Sequence, residues 1–239
     1  MVHTHTVKSF DEELRSLRAL VSQMGGLAEY QIRSALDALM ARDIDGAAKV
    51  VSNDARIDAL EEEAERLAVE IIALRHPLAD DLREVISALK ISAALERVGD
   101  YAKNIAKRST VLSQTRHIQP LVIVPEIGRI VAQMLKDALD AYGSRDTAKA
   151  LKVRDRDTDV DDLYNSLFRS LLTYMMENPQ HITPSTHLMF VAKNLERIGD
   201  LSTNMAEIVY YNVTGERMAG DRQKHDDTAF AHAPETSRD

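Results

Sequence analysis

The chain contains no cysteine and no tryptophan, and only nine glycines and six prolines in 239 residues. Without cysteine there is no disulfide, zinc finger, thiol nucleophile or thiolate-held cluster, and a cytoplasmic setting is expected. Aromatic residues make up 5%, too few for base-stacking platforms or for aromatic belts at a membrane surface. Positive charge is in deficit: 30 Lys and Arg stand against 38 Asp and Glu, a formal charge of −8. That balance argues against nucleic-acid binding. No run of eighteen apolar residues occurs, so no transmembrane helix is expected and any membrane association would pass through a partner. Met1 to Phe10 has no apolar core of the kind a signal peptide needs.

What remains is rich in helix formers. The breakers cluster at His76-Pro77, Gln119-Pro120 to Pro125, Gly143, Asn178-Pro179 and Pro184, and the stretches between them abound in Ala, Leu, Glu, Arg and Met. The spacing predicts six helices near 9–41, 46–75, 79–113, 123–143, 146–177 and 184–212, with no sustained strand-type alternation. In the third, Ala88, Ile91, Leu95, Val98, Ala102 and Ile105 recur every three or four residues and make one apolar stripe. Residues 1–8 are expected to be flexible, and the polar segment 216–239 to be a disordered tail.

The stripe recurs one hundred residues later as Leu188, Val191, Leu195, Ile198, Ser202 and Met205. With it recurs Leu95-Glu96-Arg97-Val98-Gly99-Asp100, as Leu195-Glu196-Arg197-Ile198-Gly199-Asp200. Earlier, Ala35-Leu36-Asp37-Ala38 and Arg42-Asp43 match Ala138-Leu139-Asp140-Ala141 and Arg145-Asp146, and Asp54 and Asp58 match Asp157 and Asp161. A helix-helix-helix unit is therefore written twice. The expected fold is all-α: two tandem three-helix bundles, residues 9–113 and 123–215, joined by a linker at 114–122. Gly25-Gly26 finds no counterpart in this reading and is expected to mark a local kink.

The doubled acids carry the chemistry. Glu96 and Asp100 lie four apart and share a helix face; so do Glu196 and Asp200, Asp54 and Asp58, and Asp157 and Asp161. Each like-charged pair costs a helix about 0.2–0.5 kcal/mol, and more if the face is buried. Either a metal ion or basic side chains should offset that cost. All-oxygen ligands suit hard cations; the basic candidates are Arg97, Arg197, Lys90, Lys103 and Lys193. Gly99 and Gly199, each costing about 1 kcal/mol in a helix interior, leave room for a metal or for close approach of another backbone. No Glu-x-x-His pair, P-loop, dinucleotide fingerprint or nucleophile elbow is present, so catalysis is not expected.

Together, Asp54-x-x-x-Asp58, Arg75-His76-Pro77 with Asp81-Leu82-Arg83, Leu95 to Asp100, Asp157-x-x-x-Asp161, Leu172 to Pro179 and Leu195 to Asp200 resemble the PhoU family of phosphate-specific transport regulators, over roughly residues 8–215. The resemblance implies metal binding by Glu96, Asp100, Glu196 and Asp200, with Asp54, Asp58, Asp157 and Asp161 as further ligands, the ion being iron, zinc, magnesium or manganese. It also implies a repressor of the phosphate-starvation response whose partners are a membrane sensor histidine kinase and the ATPase subunit of the phosphate ABC transporter. A homodimer is expected. The alternatives are a di-metal carboxylate redox or metal-storage bundle, against which the missing Glu-x-x-His speaks, and a salt-bridged structural scaffold.

Overall fold

The computed structural model describes residues 2–115 and 119–220, which contain helices and no strand. In the first half, α1 (Val2–Ala41) is followed by α2 (Ile44–Asn53), α3 (Ala55–Arg75) and α4 (Ala79–Leu112). The second half repeats the order as α5 (Val124–Ser144), α6 (Thr147–Asp155), α7 (Asp157–Glu177) and α8 (Ile182–Thr214). Short 3₁₀ turns at Gln119–Ile123 and Pro179–His181 lead into α5 and α8. The six expected helices are thus found, the second of each half being interrupted at a single residue, Asp54 or Arg156. No glycine or proline stands before Phe10, and α1 starts at Val2 rather than at residue 9. Of the expected linker and tail, residues 116–118 and 221–239 lie outside the described residues.

Matched local chemistry shapes both halves. Arg42 and Arg145 end α1 and α5 in the left-handed region, at φ 57° and 55°. The next residue in each case caps the following helix: Asp43 accepts from the Gly46 N–H at 2.9 Å and Asp146 from the Lys149 N–H at 3.0 Å. Such a cap contributes about 1 kcal/mol. At the interruption at Asp54 a side chain from α1 meets the open backbone groups. With its amide turned so that the nitrogen faces the Val50 carbonyl, the buried Gln31 of α1 donates to that carbonyl at 3.0 Å and accepts from the Asp54 N–H at 3.3 Å. Those are the two groups an unbroken helix would join directly, and an inserted side chain opens the ladder there.

The stripe on α4 and its repeat on α8 are buried along their whole length. More of α4 is buried than one stripe, because it packs against α1, α3 and α8 together. The helices α4 and α8 run antiparallel. Near one end Arg108 reaches His187, and at the middle the Arg197 guanidinium lies 5.7 Å from the Tyr101 ring. The helices α1 and α5 also cross antiparallel, and here the glycine expectation is corrected. Gly25 does have a counterpart, Gly128, at the same offset of 103 that relates Leu36 to Leu139. Each glycine receives the leucine of the opposite helix: Leu139 on Gly25, Leu36 on Gly128. Gly25 is thus a seat for a leucine, and the two bundles close over one continuous apolar core.

Candidate functional site

The repeated Leu-Glu-Arg-x-Gly-Asp segments lie midway along α4 and α8, where the two helices cross. Arg97 donates to the Tyr101 hydroxyl at 3.3 Å, and Arg197 lies against the same ring. The motif arginines therefore meet at an aromatic ring between the bundles and do not pair with the motif acids. Of the basic candidates, Lys103 and Lys193 do.

In the first half, Asp54 is only 3% exposed, a position where a carboxylate needs a counter-charge. Lys103, one turn beyond Asp100, supplies it: its ammonium bonds Asp54 across the helix gap and Asp100 Oδ1 at 2.6 Å. The other Asp54 oxygen, Oδ1, is buried with no hydrogen-bond partner. Asp58 is exposed and Glu96 half-buried. Burial, then repulsion from Asp100, Asp58, Glu61 and Asp54, pushes Glu96 above the usual carboxylate range. Burial, then Asp54, pushes Asp58 up in the same way, against the pull of Lys103. The four acids thus form one electrostatic cluster, which Glu61 and Glu62 extend. These two glutamates escaped the sequence reading, although they follow Asp58 at helical spacings of three and four. Gly99 explains the closeness: a Cβ there would lie 2.9 Å from Ile57 Cδ1 and 3.2 Å from Asp54 Oδ1.

In the second half, Asp157 and Asp161 are each 3% exposed, Glu196 is buried and Asp200 half-buried. Asp157 Oδ1 accepts from the Thr203 hydroxyl at 3.2 Å, and Glu196 Oε1 from Lys193 Nζ at 3.0 Å. Lys193 also sits 4.9 Å over the Tyr164 ring. Around Gly199 the contacts are ordinary, the nearest being Val160 Cγ1 at 3.6 Å from a built Cβ. Close approach is therefore a property of the Gly99 site.

The donor chemistry fits a hard cation: every candidate ligand is a carboxylate, and Asp54 offers a buried, unused lone pair. Among the described residues no three acidic or histidine side chains converge closely enough to hold a metal as they stand. Lys103 occupies the Asp54–Asp100 gap instead.

A second charged cluster joins the bundles. Glu84 of α4, 6% exposed, pairs with Arg18 of α1 and, at 3.1 Å, with Arg145 at the end of α5. Beside it Tyr142 is buried, its hydroxyl without a hydrogen-bond partner; burial, then Glu84, drives its ionisation far upward. The repeat-mate of Arg145, Arg42, instead caps α4 of its own half at the carbonyls of Leu112, Ser113 and Thr115. No local signal marks Glu84, whose partners lie more than sixty residues away.

The PhoU domain matches residues 21–109 and 124–209, one copy in each bundle. A phosphate-specific transport system accessory protein PhoU homolog of Zymomonas mobilis is 56% identical over 90% of this chain and 90% of its own. That of Caulobacter vibrioides is 50% identical over 93% and 97%. The crystal structure of PhoU from Pseudomonas aeruginosa is similar over 87% of this chain and 100% of that one, at 38% identity and a TM-score of 0.85. The phosphate transport system regulatory protein PhoU from Streptococcus pneumoniae, 28% identical, covers 88% and 99% with a TM-score of 0.81. With both halves matched and relatives identical at half or more of their aligned positions, the chain belongs to the PhoU family.

Proposed function

We propose that this chain is an accessory and regulatory protein of phosphate-specific transport, and that it represses the phosphate-starvation response when phosphate is plentiful. The observation that supports the reading is the match along both bundles to proteins named as accessory or regulatory proteins of phosphate transport. In this reading the chain acts as an adaptor between the phosphate ABC transporter's ATPase subunit and a sensor histidine kinase. To transmit a state it must bind one conformation of a partner better than the other, since equal affinity shifts nothing.

The acidic faces are the proposed metal sites. Glu96, Asp100, Asp54 and Asp58 would hold an ion in the first half, and Glu196, Asp200, Asp157 and Asp161 in the second. A bound hard cation would neutralise carboxylates on two helices at once and so tie them together. The chain's own residues prepare this: Gly99 brings α3 close to α4, and burial of Asp54 keeps one lone pair unspent. We place the partner-docking face on the same helices. Glu96→Ala with Asp100→Ala should weaken partner binding while helical content is retained; metal lost with binding unchanged would separate the two roles.

The test of the main reading is alkaline phosphatase activity in phosphate-replete cells with and without the gene. Constitutive activity in the deletion, restored by a plasmid copy, is the expected result. Full repression in a strain with no second copy would count against the repressor role.

A further inference from the structure

One difference between the two acidic sites follows from a single repeat position. Lys103 and Thr203 occupy equivalent places, three residues after Asp100 and Asp200. Each reaches the equivalent buried aspartate on the neighbouring helix: Lys103 bonds Asp54, and Thr203 bonds Asp157. The geometry of the contact is kept while its charge is changed. We infer that Lys103 is a tethered counter-cation that competes with a divalent metal for the first acidic site, lowering that site's affinity below what its carboxylates alone would give. The inference rests on the proposed metal-binding role of these motifs and deepens it.

The competition is for shared lone pairs. The Lys103 ammonium takes one oxygen of Asp54 and one of Asp100, and both residues belong to the set that would hold an ion. An ammonium is a compact point charge with three donors, and bonds of this charge-assisted kind are about twice as strong as neutral ones. Its stem is fixed to α4 within one turn of Asp100, so it is always present at the site, whereas an ion arrives from solution. An incoming cation must therefore displace the ammonium or bind beside a like charge. Displacement is open to it, because the Lys103 side chain is 24% exposed and can swing to water. The same residue keeps buried Asp54 neutralised when no ion is bound, so the first bundle folds without depending on metal. At position 203 a hydroxyl makes the corresponding contact and adds no charge there, the second half having its lysine, Lys193, on Glu196 instead.

The two repeats themselves supply the substitutions: Lys103→Thr copies the second half, and Thr203→Lys copies the first. The full-length chain would be titrated with Mn²⁺ by isothermal calorimetry in two backgrounds, with circular dichroism to confirm helical content. In the Glu196→Ala, Asp200→Ala background, where the first site is read alone, Lys103→Thr should tighten Mn²⁺ binding by about tenfold. In the Glu96→Ala, Asp100→Ala background, Thr203→Lys should weaken it by about the same factor. If Lys103→Thr does not fold, the second pair decides by itself. Measurable Mn²⁺ binding in both backgrounds, with neither substitution changing it, would overturn the competition. No Mn²⁺ binding by any of these proteins, the unsubstituted chain included, would overturn the metal reading and the inference with it.

Discussion

Leu139 of α5 fills the space that a side chain on Gly25 of α1 would need: a methyl group built on Gly25 would meet Leu139 Cδ1 at 2.6 Å and Cδ2 at 2.8 Å. Gly128 and Leu36 make the same contact with the roles of α1 and α5 exchanged. This reciprocal seating, with the antiparallel crossing of α4 and α8, turns two sequential bundles into one body.

Gly25→Ala should therefore destabilise the chain by about 1 kcal/mol, the crowding outweighing the gain in helix propensity. The adjacent Gly26 faces open space within 4 Å, so Gly26→Ala should stabilise by up to about 1 kcal/mol. Urea titrations would check both. In a Leu139→Ala background the cost of Gly25→Ala should vanish; an unchanged cost would mean the leucine is not its source.

Glu84 is held by arginines from both bundles, Arg18 and Arg145. Both arginines are nearly half exposed, so on removal of the acid they can return to water. Glu84→Ala should then cost about 1–2 kcal/mol, visible as a lower urea midpoint. Arg145→Ala should lose part of the same energy, and the double variant should cost less than the sum. Strict additivity would show that the contact does not couple the bundles.

Glu13 and Arg75 tie α1 to the end of α3 at 2.6 Å. The Arg75 hydrogen bonds hold the Glu13 carboxyl below the usual carboxylate range, against the effect of burial. A lowered folded-state value means that stability is gained above the unfolded value, near 4.3, and lost as pH falls through the folded one. Glu13→Gln should accordingly lower the melting temperature at pH 7, and the deficit should shrink progressively as pH falls below about 4. A deficit that persists in acid would assign it to packing.

Glu96 has the opposite sign: burial and neighbouring acids raise it. Its charge opposes folding as pH rises through the folded-state value. In metal-free protein at pH 7, Glu96→Gln should raise the melting temperature, with no gain at about pH 3, where the carboxyl is already neutral. Added Mn²⁺ should stabilise the unsubstituted chain more than this variant, by mass action on the folded state. A melting temperature lowered by Glu96→Gln would show that repulsion does not dominate this site.

Much of this molecule was legible in advance because its signals are local. The stripe from Ala88 to Ile105 recurs at helical spacing, and every member is buried. The copied acids were visible as a second writing of the same pattern, and Asp43 and Asp146 begin helices where the chain turns. What escaped depended on partners far along the chain. Gly25 looked unmatched because few of its neighbours resemble those of Gly128, and only the crossing of α1 and α5 shows that both receive a leucine. The backbone groups left open at Asp54 are met by Gln31, on another helix.

The identity of the counter-charges shows the same division. Composition and spacing named both motif arginines and three lysines as candidates, all equally placed on paper. Helix periodicity says which residues share a face, but not which way the next helix runs or how near it comes. Packing turned Arg97 and Arg197 toward Tyr101 and set Lys103 between Asp54 and Asp100. The sequence by itself determined six helices, their doubling and the acidic faces, since these follow from backbone geometry and residue order. Only the tertiary structure decided the shared core, the Glu84 link and the pairing of Lys103, because each is a contact between segments that chain order leaves far apart.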